Sequence, residues 1–170
     1  FVVMIDNLTR PQLPPSHLPI RKVEGEFLVA GQADTLVIDP ANGLRYEPLV
    51  RLLETVDQDA VIAVYTRTYP LFQQAYQQLG YPDRYFNDRL IEVLDHLLAT
   101  PVTTGQEQLV RPKFYYQFAD PKLEGLSAGQ KIILRSGKTN AEILRRLMRS
   151  YRQRLAGINP GEKRELGSNR

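Results

Sequence analysis

The apolar positions at the start of the chain follow a strand-like pattern. Residues 1–5 are apolar and largely β-branched, so they predict a strand. Residues 11–26 carry four prolines, which cannot donate hydrogen bonds to a sheet, and they predict an extended surface arm. Residues 27–30 and 35–38 are short apolar runs on either side of a glycine-containing turn, an arrangement that predicts a β-hairpin.

After this hairpin the apolar spacing changes to three and four positions, which places the side chains on one face of a helix. The first such stretch predicts a helix over residues 46–56, with an apolar face of Leu49, Leu52, Leu53 and Val56. The second, over residues 61–79, contains Pro70 and predicts two helical pieces bent at that proline. We expect its stripe to pack in the core rather than to form a stacking platform: Val61, Tyr65, Tyr69, Phe72, Tyr76 and Leu79.

The middle of the chain predicts one long helix and one strand. Asn87 or Asp88 can cap a helix that ends before Pro101, because the residue before a proline resists the helical conformation. The broad apolar face of this helix consists of Leu90, Ile91, Leu94, Leu97 and Leu98. Residues 113–118 are rich in aromatics and suit a half-buried strand, which we expect to pair with the strand at residues 1–5.

Capping signals organise the last third of the chain. Asp120 precedes a proline and predicts the start of a short helix. The spacing of Ser127 and Gln130 predicts a capping box for a second short helix. Thr139 and Glu142 have the same spacing and predict the start of a long amphipathic helix.

These elements predict an α+β fold, in the form of a helix-dominated single domain with a small, mostly antiparallel sheet. Its length of 170 residues suits one domain. We place the globular domain at residues 1–156, with the proline-rich arm at 11–26, and a flexible polar tail at 157–170.

Composition excludes several kinds of site. The absence of cysteine excludes disulfides, catalytic thiols and thiolate metal sites, and it leaves the compartment open. The net charge of +3 is too small to imply a polyanionic partner by itself. No uninterrupted apolar stretch approaches the roughly 18–20 residues that a membrane span requires.

The sequence carries no catalytic or cofactor motif, so we expect no cofactor and name no catalytic residue. Gly137, Lys138 and Thr139 match the end of a phosphate-binding loop, but the glycine required five positions earlier is Ile132. Helix capping is therefore the favoured interpretation of this segment.

Acidic residues and a histidine share the polar side of the helix that begins near residue 87. Glu92 and His96 lie one turn apart and could present two metal ligands, but two ligands do not make a site. We expect these two residues, with Asp88 and Asp95, to form a solvated face of charge pairs, and we predict no metal site.

Two segments remain as candidate binding surfaces. The loop over residues 81–87 mixes aromatic, cationic and amide side chains, and loops often carry function. Its candidate residues are Tyr81, Arg84, Tyr85 and Asn87. The last helix concentrates positive charge on the side that we expect to face solvent, through Arg145, Arg146, Arg149, Arg152 and Arg154. A solvated face is the favoured interpretation of these arginines, and an acidic partner, lipid headgroups or nucleic acid are the alternatives.

Four stretches of the sequence resemble a known family: residues 3–8, 69–82, 86–101 and 118–131, which include the strings YPLFQQAY, FNDRLIE, DHLLATP and LSAGQK. Read together, they resemble a bacterial domain-of-unknown-function family, the one numbered three thousand and fourteen. The resemblance implies a Gram-negative envelope protein that is anchored in the inner membrane by one N-terminal span absent from this chain. It implies that this domain lies in the periplasm, and it implies no activity.

Two functional hypotheses follow. The first is a periplasmic interaction module that binds an envelope protein, or an anionic cell-wall or lipid partner, through the 81–87 loop or the arginine-rich helix. The alternative is a hydrolase acting on cell-wall or lipid material, with Asp83, Asp88 and Glu92 as its carboxylates. Nucleic acid is an unlikely partner for a periplasmic domain.

Overall fold

A computed structural model describes residues 1–13, 25–32 and 35–158. Within these ranges, seven helices and four short strands follow one another along the chain. In order, they are α1 (Val2–Asn7), β1 (Val29–Ala30), β2 (Val37–Ile38), α2 (Asn42–Thr55), α3 (Gln58–Gln78), α4 (Phe86–Leu98), β3 (Leu109–Val110), β4 (Gln117–Phe118), α5 (Pro121–Glu124), α6 (Ala128–Arg135) and α7 (Lys138–Ala156). The predicted α+β class, with helices dominating, is confirmed. Most of the predicted arm and most of the predicted tail lie outside the described residues.

The strand predicted at residues 1–5 is wrong, because this segment forms helix α1. A short apolar run does not distinguish a strand from a buried helix by its spacing alone. In α1, Val2 and Asp6 lie one turn apart and are both buried. The Asn7 side chain donates a hydrogen bond to the Val3 carbonyl at 2.7 Å, one turn earlier in the same helix.

Each pair of strands forms its own two-stranded antiparallel sheet. The predicted first hairpin is confirmed, with Val29 opposite Ile38. The strand predicted at 113–118 is reduced to β4, and its partner is β3 rather than the start of the chain, with Leu109 opposite Phe118. The two sheets share a small apolar cluster of Ile38, Leu109, Phe118 and Leu134.

Helix α3 runs without interruption through Pro70, so this segment forms one helix rather than the two pieces predicted from the sequence. An interior proline costs a helix about 3 kcal/mol because it removes a backbone bond and crowds the preceding turn. Here the aromatic stripe is buried on both sides of the proline. Tyr65 and Tyr69 precede Pro70, and Tyr76 follows it. Burial of the stripe in one core stabilises the helix on both sides of the proline.

Two of the predicted caps are confirmed. Asp120 accepts a hydrogen bond from Lys122 N at the start of α5, and Ser127 with Gln130 forms the complete capping box of α6. The capping box predicted from Thr139 is wrong, because α7 begins at Lys138 and the N-cap position is taken by Gly137, two residues before Thr139. Gly137 has φ of 90°, which only glycine adopts readily, and its N-cap position offers no side chain to accept a bond.

Asn87 and Asp88 do not cap α4, which begins at Phe86. The start of this helix is instead satisfied from α3, because Gln73 Oε1 accepts a hydrogen bond from Phe86 N at 2.8 Å. The same oxygen accepts from the Tyr69 hydroxyl, also at 2.8 Å. The side chain of Gln73, 13 positions before Phe86, therefore caps the helix in place of Asn87, the cap that the local sequence predicts.

The apolar face predicted for α2 is the wrong face. Leu49, Leu52, Leu53 and Val56 are exposed, whereas Asn42 and Val50 are buried. Two buried amides fix how the helix is rotated. The Asn42 side chain accepts from Leu28 N at 3.0 Å, and Asn140 Nδ2 donates to the Gly43 carbonyl at 2.8 Å.

The principal core lies between α1, α3, α4 and α7, and it is largely aromatic. Its buried residues are Val2, Tyr65, Tyr69, Tyr76, Phe86 and Leu155. The Tyr65 and Phe72 rings are stacked with centroids 5.7 Å apart. The structure therefore confirms that the aromatic residues of the predicted stripe pack in the core. The prediction is wrong for Val61 and Leu79 at the two ends of the stripe, because both are exposed.

We expect the domain to unfold cooperatively as tyrosine begins to ionise. Burial raises the pKa of Tyr65, Tyr69 and Tyr76 above the ordinary value, which is about 10. The fold keeps these phenols neutral, so their contribution to stability is complete below about pH 10 and is lost as the pH rises through the raised values. The tyrosinate absorbance that comes from Tyr65, Tyr69 and Tyr76 should therefore appear together with the loss of the helical circular dichroism signal. Full ionisation of all tyrosines with an unchanged helix signal would contradict this expectation.

Candidate functional site

The loop over residues 81–87 is held from beneath by α3. The Tyr81 ring stacks on Tyr76 with centroids 4.7 Å apart. Gln73 Nε2 donates to the Arg84 carbonyl at 2.8 Å. These contacts fix the backbone and leave the side chains of Arg84 and Tyr85 exposed.

Asn87 lies in the core rather than on the loop surface. Its Oδ1 accepts a hydrogen bond from the Tyr65 hydroxyl at 3.1 Å, and its Nδ2 donates to the Leu155 carbonyl at 3.4 Å. The side chain thus links α3, α4 and the end of α7. Of the four candidate residues of the loop, Arg84 and Tyr85 are the ones that the structure leaves available to a ligand.

A cleft of about 310 Å³ opens between this loop and the first turns of α4. It brings together the three carboxylates proposed for a hydrolase, Asp83, Asp88 and Glu92. The remaining lining residues are Tyr76, Arg84, Tyr85 and Arg89. All three carboxylate residues are exposed, so the cleft is shallow and polar.

Arg89, at the edge of the cleft, connects α4 to α1. Its Nε donates to Asp6 at 2.9 Å, and its Nη1 donates to Glu92 at 3.2 Å. Its Nη2 also bonds the Asp6 carbonyl and the Thr9 hydroxyl. Burial opposes the charged form, but the hydrogen bonds to Asp6 and Glu92 outweigh it and raise the pKa of Arg89. Arg89 therefore stays charged and engaged within the fold.

Arg145 is not on the outer side of α7, where we expected it. It is buried, and its Nη2 donates to the carbonyls of Thr100 and Pro101 at 3.3 and 2.9 Å. Our placement assumed one solvent-facing side of α7, but this helix packs against both α2 and α4, so two of its sides are covered. Arg145 caps the carbonyls that follow α4 instead of facing a partner.

Three of the other arginines of α7 pair with acids supplied by neighbouring helices. Arg152 forms two hydrogen bonds with Asp95 of α4, at 2.7 and 3.0 Å, and these lower the pKa of Asp95. Arg146 pairs with Glu54 of α2, and Arg154 pairs with Asp59 of α3. Arg149 is exposed. The positive charge of the helix is thus largely compensated, although a binding role for Arg146 and Arg149 stays a prediction.

The acidic residues and the histidine of α4 do not converge on one point. Asp95 is bonded to Arg152, and His96 Nε2 lies 2.9 Å from the Ser127 hydroxyl at the start of α6. Within the described ranges, no group of three or more acidic or histidine side chains could hold a metal ion.

A larger groove, of about 610 Å³, lies between α2, the 104–106 loop and the junction of α6 and α7. Its deep side is apolar, because the buried residues Ile38, Val50 and Leu134 line it. Its edge carries exposed Leu44 and exposed charged or polar groups, including Glu54, Lys138 and Thr139. An apolar interior of this volume with polar groups at the edge is typical of a ligand-binding site.

Close backbone contact between α2 and α7 shapes one end of this groove. A Cβ added to Gly137 would lie 3.3 Å from the Gly43 Cα. Asn140 Nδ2 donates to Gly43 O at 2.8 Å and to Ser136 O at 2.9 Å, which fixes the junction. The first bond within α7 runs from Ala141 N to Gly137 O, so the N–H groups before Ala141 are directed out of the helix end.

Sequence reasoning missed this groove. In the sequence, Gly137 and Lys138 match the end of a phosphate-binding loop and are best explained by helix capping, and neither interpretation indicates a groove. The groove depends on three segments that are far apart in the chain, near residues 43, 105 and 137. The usable signal was a glycine in each segment, which is consistent with close backbone approach but does not identify its partner.

Comparison with known proteins identifies a family and nothing further. The model of a family described as a protein of unknown function (DUF3014) matches residues 1–152. No curated protein and no solved structure matches this chain. In the part of the chain that the structure describes, no helix is both long enough and apolar enough to cross a bilayer.

Proposed function

The chain belongs to the DUF3014 family, and we propose that its domain is a binding module whose ligand site is the groove between α2 and α7. The observation that carries this proposal is the groove itself, which combines a volume of about 610 Å³ with a buried apolar side and a polar edge. The groove lies on helices that are fixed by buried amides, so it is already formed without a ligand.

The ligand that fits this groove is an extended peptide segment of an envelope protein. Apolar side chains of the segment would cover Val50, Leu134 and Ile143. Lys138 and the positive end of the α7 dipole favour an acidic group at that end of the groove, such as a C-terminal carboxylate. Leu44, which is 67% exposed, would be covered on binding.

We further propose that the module lies in the periplasm and is attached to the inner membrane through an N-terminal segment that is not part of this chain. Support comes from the family resemblance, and the absence of cysteine is compatible with the periplasm without favouring it over the cytosol. A reporter that is active only outside the cytoplasm, fused to the full-length protein, tests this location. An inactive reporter on a stable fusion would refute it.

A groove variant should lose peptide binding without losing the fold. Leu44→Asp places a charge where an apolar side chain would pack, and Lys138→Glu reverses the charge that attracts the acidic end. We expect each change to weaken binding by about tenfold, measured by fluorescence anisotropy on peptides with apolar side chains and a free C-terminus. Amidated versions of these peptides should bind less tightly to the unchanged protein.

The matched control for Leu44→Asp is Leu71→Asp on α3, because Leu71 is 66% exposed and does not line the groove. We expect it to bind like the unchanged protein. Equal affinity of Leu44→Asp and Leu71→Asp for every peptide, with both variants folded, would refute the groove as the site. Crosslinking in intact cells from residue 44, but not from residue 71, should then trap one envelope protein.

A carboxylate-based hydrolase is the second candidate, because Asp83, Asp88 and Glu92 do line one cleft beside exposed Tyr85. Glycoside hydrolases place two carboxyl groups about 5–10 Å apart on either side of the bond that is cleaved. Turnover of cell-wall glycan or lipid that is abolished by Asp83→Asn or Asp88→Asn, and retained by Leu44→Asp, would favour this function over the groove. The binding module is preferred, because the cleft is open and Glu92 is already paired with Arg89.

A further inference from the structure

The connection between β3 and β4 exposes two adjacent aromatic side chains. We define the hairpin tip as residues 111–116. Phe114 and Tyr115 within it are each 82% exposed, the highest exposure among the large apolar side chains of the described residues. Single exposed apolar residues are common on protein surfaces, but two large aromatic residues side by side and almost fully exposed indicate a contact site.

The base of the hairpin tip is fixed, so this exposure does not come from a loose loop. Leu109 and Phe118 pair across the two strands and are both buried. The Tyr116 ring packs 5.9 Å from Phe27, and Arg135 Nη2 donates to the Tyr116 carbonyl at 3.1 Å. The aromatic pair is therefore carried by a hairpin whose base is fixed in the apolar cluster of Leu109 and Phe118.

The charge of the hairpin tip has one sign. Arg111 and Lys113 are both exposed, and no acidic residue occurs between residues 108 and 119. The Arg111 guanidinium lies 5.2 Å from the centre of the Tyr116 ring, a cation–π contact at the base of the tip. Aromatic rings and cations in one small projection match the chemistry of a bilayer interface with anionic headgroups.

We propose that the hairpin tip docks on the surface of an anionic lipid bilayer, with Phe114 and Tyr115 inserted at the level of the headgroups and Arg111 and Lys113 bound to lipid phosphates. A bilayer suits the tip better than a protein does. Specific protein interfaces bury about 800 Å² on each partner, whereas a projection of six residues offers much less. Insertion to a depth of about 5–10 Å requires no larger surface than the tip provides.

This contact is independent of the groove between α2 and α7, which is lined by other residues. One aromatic pair and two cations give weak, reversible binding, because stable attachment to a membrane requires a second signal. In a protein held at a membrane by another segment, the tip would orient the domain relative to the bilayer and so set the direction in which the groove opens.

The chain contains no tryptophan, so a single introduced tryptophan reports on its own site. We expect Phe114→Trp to show a blue-shifted emission with vesicles of phosphatidylglycerol and phosphatidylcholine, and quenching by lipids brominated near the headgroup. Vesicles of phosphatidylcholine alone should produce a much smaller shift. The matched control is Leu71→Trp, at a position that is 66% exposed on α3, where we expect no shift with either vesicle.

Binding to the anionic vesicles should also depend on each part of the tip. We expect Phe114→Ser with Tyr115→Ser to lower the partition coefficient by at least about tenfold. Arg111→Gln and Lys113→Gln should each lower it by about fivefold, and added salt should remove that difference. Unchanged emission of the Phe114→Trp protein with anionic vesicles, or a shift equal to that of Leu71→Trp, would overturn the proposal, and a tip that binds only a protein would give the first of these results.

Discussion

Replacing Phe86 by alanine is expected to lower the free energy of unfolding by about 4 kcal/mol, the largest effect of any single change that we predict. Phe86 has no exposed surface, and its ring lies 5.9 Å from Phe72 and 5.7 Å from Tyr76. Removing it leaves a cavity among rigid aromatic rings that cannot collapse to fill it. Urea denaturation followed by circular dichroism measures the change.

The control for this variant is Phe114→Ala, which removes the same ring from a position that is 82% exposed. We expect it to change the free energy of unfolding by no more than about 0.5 kcal/mol. Similar losses in both variants would mean that Phe86 is not enclosed as described. Retention of full stability by Phe86→Ala would have the same implication.

Replacing Asp6 by alanine is expected to lower the free energy of unfolding by about 3 kcal/mol, although Asp6 is not a core hydrophobic residue. Asp6 is 4% exposed, and its carboxylate accepts hydrogen bonds from Arg89 at 2.9 Å and from Arg10 at 3.0 Å. Without Asp6, the partly buried Arg89 guanidinium loses its principal partner. Removing one member of a buried ion pair costs more than the pair itself contributes, because the other charge stays desolvated.

The reasoning about Asp6 can be tested with a double-mutant cycle. Asp6→Ala combined with Arg89→Met should recover part of the lost stability, since no unpaired charge remains in the site. Glu47→Ala is the surface control, because Glu47 pairs with Arg51 within one exposed turn of α2 and should contribute no more than about 0.5 kcal/mol. Equal decreases in the free energy of unfolding for Asp6→Ala and Glu47→Ala would show that burial of the ion pair between Asp6 and Arg89 does not affect stability.

Elements with strong local signals were predictable from the sequence. The capping box of Ser127 and Gln130 starts α6 because both of its bonds lie within four residues. The residues at 1–5 carried no such signal, and the helix there depends on Asp6 reaching Arg89, which is 83 positions away. Local preference specifies an element only when no distant partner competes with it.

The same contrast between local signals and distant contacts applies to the candidate site. The sequence identified the 81–87 loop and the carboxylates, and the structure brings those carboxylates to one cleft. It placed Arg145 on the wrong side of α7, because helical spacing shows which residues share a face but not how many faces are covered. The groove could not be predicted, since its walls meet only after Asn140 contacts Gly43, which is 97 positions away.

The buried amide of Asn42 also has a bearing on how the protein ages. Asn42 precedes Gly43, and an asparagine followed by glycine deamidates readily when the glycine nitrogen can attack the side chain. In the fold, Gly43 N donates to the Pro40 carbonyl, and the Asn42 side chain is bonded to Leu28 and Asp39, so the attack is blocked. In a chain that has unfolded and deamidated, a carboxylate oxygen replaces the Asn42 amide nitrogen that donates to the Leu28 and Asp39 carbonyls. The repulsion between these oxygens would destabilise the refolded protein. The fraction of deamidated residue at this position, as aspartate and isoaspartate, would thus record the unfolding history of a sample.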